Sequence, residues 1–477
     1  MEKELIRFEN VTSFDAQHSN IKNFSFVIYE GQTIGMVVLN NTGSDVLLNL
    51  LQSNTMDITG NIYIRNKLVH NHNYCDSSKN DVAIVDHNNR LFESLSTVDN
   101  IFLTPRLERH GLIIPRKKEK SRFLWIKSEL ELDLEINKNC ENISNADRCI
   151  IEILRAVMAE KALIVLVGLS NFLTKREYKK VYCIIQQFRS KGQTFLIIGN
   201  NYNEIIQSTD FTILLRDGKN IKRLTKEKYP DEQDLLRCLE TDWNESNRIE
   251  QICFPKTNDV ILAFKHVYSQ EMRNISFELY KGECIVLIAN QKVQNNIIAL
   301  LQKKINVDEG KILFEGQELG NYSSAKLYPY KINFILSNAY RKMLYKDLNY
   351  MENLTIGIEK KSRHQIVRKS IQKLLYSEAK KELGNIVSCK YISELTKEEK
   401  YQLLYSRILF LHPQLVIICN PFIESDYQTR AFISDLLYRL RKAGITLLIL
   451  SAGSLKKMKL ADKIIEIHNK IIWDFNI

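Results

Sequence analysis

Hydrophobic and polar positions along the chain follow two rhythms. LIRFENV from Leu5 and FSFVIY from Phe24 alternate and predict half-buried strands. TIGMVVL from Thr33 is continuously apolar, as a strand covered on both faces should be, and it runs on to an expected helix, VLLNLLQ from Val46. Further along, FLWIKSELELDL from Phe123 and DRCIIEILRAVMAEK from Asp147 carry helical spacing. ALIVLV from Ala162 predicts a second buried strand, and KKVYCIIQQFRSKGQTFLII from Lys179 predicts a helix followed by a third.

The same order then recurs. ILAFKHV from Ile261, ISFELY from Ile275, CIVLIA from Cys284 and NIIALLQ from Asn296 repeat the opening; HQIVRKSIQKLLYSEAKKEL from His364, EKYQLLYSRILFLH from Glu399, QLVIIC from Gln414 and RAFISDLLYRLRKAGITLLIL from Arg430 repeat the remainder. Asn23/Asn274, Ser25/Ser276, Phe26/Phe277, Tyr29/Tyr280 and Gly31/Gly282 are identical at one constant offset. Within two positions, that offset also relates Gly60 to Gly310, Asp99 to Glu352, Gly192 to Gly444 and Asp210 to Asp462. A register held from end to end predicts two homologous domains, 1–228 and 258–477, joined by a polar linker, 229–257. Buried strands alternating with helices make each domain α/β with a parallel sheet, an antiparallel β subdomain at its start and a helical subdomain in its middle.

Composition narrows the function. The 477 residues include 17 glycines and 7 prolines. An average chain of this length would hold about 33 glycines, so the shortage argues against low-complexity character and against several glycine-rich phosphate loops. A net charge of +11 is mild. The densest basic stretch, Arg116, Lys117, Lys118, Lys120 and Arg122, is not interleaved with aromatics; it fits a solvated or membrane-facing edge better than a nucleic-acid site. Nine cysteines without paired spacing, and a start without signal-peptide character, fit reduced thiols in a cytoplasmic protein rather than disulfides or a zinc site. No apolar run approaches the 18 to 20 residues that cross a bilayer, so membrane association would be peripheral, on the inner face of the cell membrane.

The order of elements resembles the tandem ATP-binding subunit of sugar-importing ABC transporters of the ribose, galactose and xylose type, over nearly the whole chain. GNIYIRNKLV from Gly60, LFESLSTVDNIFLTPRLER from Leu91, LDLEIN from Leu132 and DFTILLRDGKNI from Asp210 carry the likeness in the first half. FELYKGE from Phe277, KDLNYMENLTI from Lys346 and DKIIEIHNKII from Asp462 carry it in the second. The resemblance implies two P-loop NTPase-like domains that bind ATP and magnesium and dock on a membrane permease, along segments around Asp86–Leu95 and Leu336–Lys346.

The catalytic landmarks depart from that family. A phosphate loop needs glycines whose backbone N–H groups close on phosphate, a Lys for the β/γ-phosphates and a hydroxyl for magnesium. In the first half Val38 stands at the first glycine, Asn40, Asn41 and Thr42 form the loop, Gly43 survives, Ser44 replaces the Lys and Asp45 the hydroxyl residue. In the second, the loop begins around Asn290, Gln294 stands at the last glycine, Asn295 at the cation and Asn296 at the hydroxyl. Where the family carries an Asp for the metal shell and a Glu as base, the halves have Val167 and Gly168, and Cys419 and Asn420. The signature loops become ISNADR, with Ser144, and LTKEEK, with Thr396; Asn200 replaces the switch His and His87 the glutamine before it. Phe14 lies near the adenine-stacking position, though a lone Phe between strands is more often core. Asp45 could instead hold a cation unaided, although no second carboxylate lies nearby in sequence.

Each lost charge-assisted phosphate bond costs roughly 1.5–3 kcal/mol, and a carboxylate beside phosphate opposes binding by up to about 4 kcal/mol at 4 Å and an effective dielectric of 20. At 1.4 kcal/mol per tenfold, micromolar affinity falls to about millimolar. The expectation is therefore a pseudo-ATPase without catalytic residues or resident metal, binding ATP and magnesium weakly at best. It would act as scaffold or regulatory partner of a permease, with a homodimer or a second ABC subunit as further possible partners and no nucleic acid. An ATP-binding, slowly hydrolysing importer subunit and a regulatory or sensory module of sugar uptake stay open as alternatives.

Overall fold

The computed structural model describes residues 3–475 except 14–20, 40–42, 72, 77–79, 88–89, 109–115, 136–139, 141–142, 226–257, 329–330, 358–368, 424, 426, 453–459 and 469. The chain forms two compact units, one per half. The expected domain boundaries and linker fall within 226–257, outside the described residues.

In the first half an antiparallel sheet is ordered β2 (Phe24–Tyr29), β1 (Glu4–Ser13), β4 (Ile58–Ile64), β5 (Lys67–Asn71) and β6 (Tyr74–Cys75). The second sheet is ordered β11 (Lys219–Thr225), β10 (Phe211–Arg216), β3 (Thr33–Val38), β9 (Thr194–Gly199), β8 (Leu163–Val167) and β7 (Val82–Val85). It is parallel except for β11 at its edge.

The second half repeats both sheets. Its antiparallel sheet is ordered β13 (Met272–Tyr280), β12 (Val260–Ser269), β15 (Glu309–Phe314) and β16 (Gln317–Glu318). The other is ordered β17 (Ile332–Ile335), β18 (Leu415–Cys419), β19 (Thr446–Ser451), β14 (Cys284–Ile288), β20 (Lys463–His468) and β21 (Ile471–Phe475), again parallel up to an antiparallel edge. Read from the antiparallel edge, the two six-stranded orders coincide strand for strand, whereas the antiparallel sheet of the first half carries one strand more, β6. The α/β architecture expected from the apolar runs is therefore present in each half.

The helices that bear on function are α1 (Ser44–Gln52), α2 (Thr97–Glu108), α3 (Arg116–Glu129) and α4 (Asn145–Met158) in the first half. Their second-half relatives are α5 (Gln291–Leu301), α6 (Tyr350–Thr355), α7 (Lys369–Leu383) and α8 (Lys397–Leu411). The continuous apolar strands are buried along nearly their whole length: Ile34, Met36, Leu163, Val165 and Leu196 in one core, Ile285, Leu287, Leu415, Ile417 and Leu448 in another. Each fully buried Leu or Ile stabilises by roughly 1.5–3 kcal/mol, so these strands set the fold.

Two details refine the sequence reading. The helix expected over 123–134 ends at Glu129, because Glu131 takes a left-handed φ of 49° and Leu132 and Leu134 then alternate inward as an extended segment. The repeat's glycines at Gly60 and Gly310 also have a cause. Both are left-handed, at φ 85°, and a Cβ there would collide with the carbonyl oxygen of Glu9 or of His266 across a β-bulge.

Candidate functional site

In open parallel sheets, ligands bind beyond the carboxyl ends of the strands. In the second half those ends are tied by side-chain amides. Asn290 caps α5, its Oδ1 accepting the N–H of Val293 at 3.0 Å. Gln294 is fully buried; its Nε2 donates to the carbonyl of Ala289 at 2.7 Å, and its Oε1 accepts from Asn420 Nδ2 at 2.8 Å. Asn420 Nδ2 also reaches Ser337 Oγ at 3.3 Å, and its Oδ1 accepts the N–H of Ala452 at 2.9 Å. Ser337 Oγ in turn donates to the carbonyl of Cys419 at 3.4 Å. The network therefore joins the ends of β14, β17, β18 and β19, and a buried polar cluster whose members are satisfied holds its neighbours rigidly.

The chemistry of this cluster is neutral. Amides neither abstract a proton from water nor carry charge for a metal. Cys419 adds no nucleophile, because burial pushes its thiol up to about 12. The Gln294 side chain is taken up by Ala289 and Asn420, and the Asn290 cap engages the N–H of Val293 at the start of α5. In the second half Gln294, Cys419 and Asn420 offer no charge to a bound triphosphate with magnesium. Of the other expected positions, Asn295 is exposed and accepts from Gln291, while Asn296 turns away to accept from Ser269 Oγ at 2.6 Å.

In the first half Phe14, Asn40, Asn41 and Thr42 lie outside the described residues. Gly43 is left-handed, at φ 86°, and precedes α1 without a side-chain cap; Ser44 is half-buried, and Asp45 is exposed in the first turn, where a carboxylate suits the helix dipole. Gly168 follows β8 at φ 63°, its N–H donating to the carbonyl of Ile198 at 2.7 Å and its carbonyl accepting from Asn171 at 2.9 Å. Asn420 makes the same turn, at φ 43°, with bonds to Leu450 and from Ile423. Gly and Asn are the residues that enter this region most readily. Val167, Asn200 and His87 are half-buried, and the His87 ring lies 6.5 Å from that of Phe172.

The signature positions are helix caps. Ser144 Oγ accepts the N–H of Asp147 at 3.1 Å and donates to its carboxylate at 2.7 Å, while Lys180 holds the other oxygen at 2.7 Å. Thr396 forms a reciprocal capping box with Glu399. These caps set Asp147, or Glu398 and Glu399, in the first turns of α4 and α8, where negative charge suits the helix dipole.

A feature the sequence reading passed over lies in the segments before α2 and α6. Asn100 and Asn353 are both fully buried. Asn100 accepts the N–H of Phe92 and donates to the carbonyls of Phe92, Leu95 and Ser96; Asn353 does the same for Tyr345, Leu348 and Asn349. An arginine braces each loop: Arg155 donates to the carbonyl of Arg90 at 2.9 Å, and Arg407 to that of Met343 at 2.8 Å. The loops present Phe92 and Tyr345 to solvent, 56% and 59% exposed. The signal was in the repeat, where Asn100 and Asn353 match inside DNIFL and ENLTI.

Comparison with known proteins bears on the fold and the family likeness. A family model described as ABC transporter matches residues 21–166. The ribose import ATP-binding protein of Caldanaerobacter subterraneus subsp. tengcongensis is 23% identical, over 97% of this chain and 92% of the relative. That of Bacillus cereus is 22% identical over 97% and 94%, and the galactose/methyl galactoside import ATP-binding protein of Salmonella typhimurium is 21% identical over 98% and 91%. Among solved structures, RNase-L Inhibitor superposes with a TM-score of 0.57 at 14% identity, covering 96% of this chain and 87% of that one, a likeness of fold. The chain thus contains an ABC-type ATP-binding domain and is homologous, at tandem length, to sugar import ATP-binding proteins.

Proposed function

We propose that this chain is a sugar-importer-type ABC subunit that has given up ATP turnover and serves as a scaffold or regulatory partner of a membrane permease. The observation that carries the proposal is the Gln294–Asn420 bond: two neutral amides, both buried, close the centre where the family would hold phosphate and its general base. In the first half the absence of a carboxylate at Val167 and Gly168 points the same way. Among the described residues no helix is long and apolar enough to cross a membrane, so the proposed place is peripheral, on the cytoplasmic face of the permease.

The braced loops support retained docking. Asn100 and Asn353 each make four main-chain hydrogen bonds that hold the loops carrying Phe92 and Tyr345, and an exposed aromatic on a rigid loop is a typical anchor for a partner. The test has two arms. A fluorescent ATP analogue with magnesium should not saturate below about 1 mM, a loss of some 4 kcal/mol against micromolar binding; saturation at micromolar levels would overturn the proposal. Co-purification from detergent-solubilised membranes should recover an integral-membrane permease and should weaken in Phe92→Ala/Tyr345→Ala, whereas recovery of no permease would leave no scaffold role.

One observation favours a second reading, in which the first half still binds nucleotide. Gly43 keeps the left-handed turn and leaves α1 without a side-chain cap. A stoichiometry of one ATP per chain, abolished by Gly43→Val, would establish it.

A further inference from the structure

We propose that the outward face of α3 is a docking surface for an anionic lipid membrane. The helix packs inward through Phe123 and Ile126, both nearly inaccessible, and it turns Glu119 inward with them. Lys117, Lys118, Lys120 and Arg122 are all exposed, and none makes an ion pair with a described residue. Glu129, a carboxylate at the end of the helix, is paired with Lys191. The face is therefore cationic with little internal compensation.

It is also apolar in one place. Leu124 and Trp125 are 46% and 64% exposed. At 100° per residue, Trp125 stands two turns from Lys118 on the same side, and Leu124 stands likewise from Lys117. A merely solvated face has no use for Trp, whose exposure to water is costly. Trp and Leu one helical stretch beyond a run of Lys and Arg, on the same outward face, suit peripheral contact with a bilayer: the ring sits at headgroup level and the cations meet anionic headgroups. Charge complementarity selects the anionic leaflet. The aliphatic Leu124 argues against single-stranded nucleic acid, which uses stacking platforms rather than aliphatic wedges. The proposal does not depend on the state of the nucleotide sites.

The test is co-sedimentation of the full chain with vesicles of phosphatidylcholine alone and of phosphatidylcholine with phosphatidylserine, at about 70:30. Each cation near an anionic surface strengthens binding about five-fold. Binding should therefore require phosphatidylserine, decline as salt is raised, and fall more than ten-fold in Lys117→Glu/Lys118→Glu/Lys120→Glu/Arg122→Glu. Leu124→Ser/Trp125→Ser should lower it several-fold at unchanged charge and remove a blue shift in tryptophan emission. Should a variant fail to fold, the salt titration of the unsubstituted chain decides. Equal binding to both vesicles, or none to either, overturns the proposal. So does loss of affinity for polyglutamate or single-stranded RNA in the charge variant without vesicle binding in the parent.

Discussion

Asn420 Nδ2 donates to Gln294 Oε1 at 2.8 Å, and the two residues lie 126 positions apart in the chain. Each is also bonded to main chain, Gln294 to Ala289 and Asn420 to Ala452, so deleting either side chain strands partners in a buried site. Gln294→Ala and Asn420→Ala are each expected to lower stability by about 1–3 kcal/mol. The double substitution should leave a coupling energy of about 0.5–3 kcal/mol. Asn420→Gly keeps the left-handed turn and should cost about 1 kcal/mol less than Asn420→Ala. Chemical denaturation of the four variants measures this; strictly additive effects would show that the amides do not act together.

Asn353 serves four main-chain bonds around one loop, as Asn100 does in the other half. Asn353→Ala should cost about 3 kcal/mol by leaving buried donors and acceptors unpaired. Asn353→Asp is the sharper test. Its carboxylate can still accept from Tyr345 but faces three carbonyls it cannot donate to, so it should be worse than alanine at neutral pH and recover in acid. Hydrogen exchange at the Tyr345 amide should quicken in both variants. An unchanged rate would remove the bracing role.

Asp210 and Asp462 hold the same place in the two halves, and burial separates their energetics. Asp210 accepts the N–H of Thr33 at 2.9 Å and pairs with Arg189, whose side chain is 32% exposed. Asp462 accepts the N–H of Cys284 at 2.9 Å and pairs with Arg441, which is 4% exposed and also donates to the carbonyl of Leu460 at 2.5 Å. Breaking a buried pair leaves an uncompensated charge, about 3–5 kcal/mol; solvent screens the other, leaving about 1 kcal/mol. Arg441→Met should therefore destabilise several-fold more than Arg189→Met. Equal losses in thermal melts would mean that burial is not the deciding difference.

What was legible in the sequence follows from distance along the chain. The parallel strands were visible because burial on both faces makes each one continuously apolar, and the repeat was visible because both halves keep the glycines of the same bulge. The candidate residues were named one by one, yet the joining of Gln294 to Asn420 was not: nothing local to Gln294 names Asn420 as its partner. Trp125 escaped for a related reason. It follows the basic run rather than interrupting it, and only the helical turn sets it beside Lys118. The end of α3 was misjudged because SELELDL has helical composition, while the left-handed Glu131 that stops the helix lies just where Leu132 and Leu134 begin to alternate into the core.

Glu152, on α4, gives the chain a pH dependence whose sign can be worked out. It is 3% exposed; Oε1 accepts the N–H of Arg90 at 2.7 Å, and Oε2 has no hydrogen-bond partner among the described residues. Burial, aided by Asp86, raises its carboxyl above the ordinary 4.5, against the pull of the Arg90 amide and of Arg155. The folded state therefore binds this proton more tightly than the unfolded state, and stability falls as pH rises from about 4.5 through the raised folded value. Below that window the neutral acid costs nothing extra; above it a buried charge must be carried. Glu152→Gln keeps an acceptor for Arg90 and removes the charge, so it should raise stability at pH 7 and flatten the profile across the window. Denaturation curves from pH 4 to pH 8 measure both, and a variant less stable than its parent at pH 7 would mean that the carboxylate's attraction to Arg155 outweighs its burial.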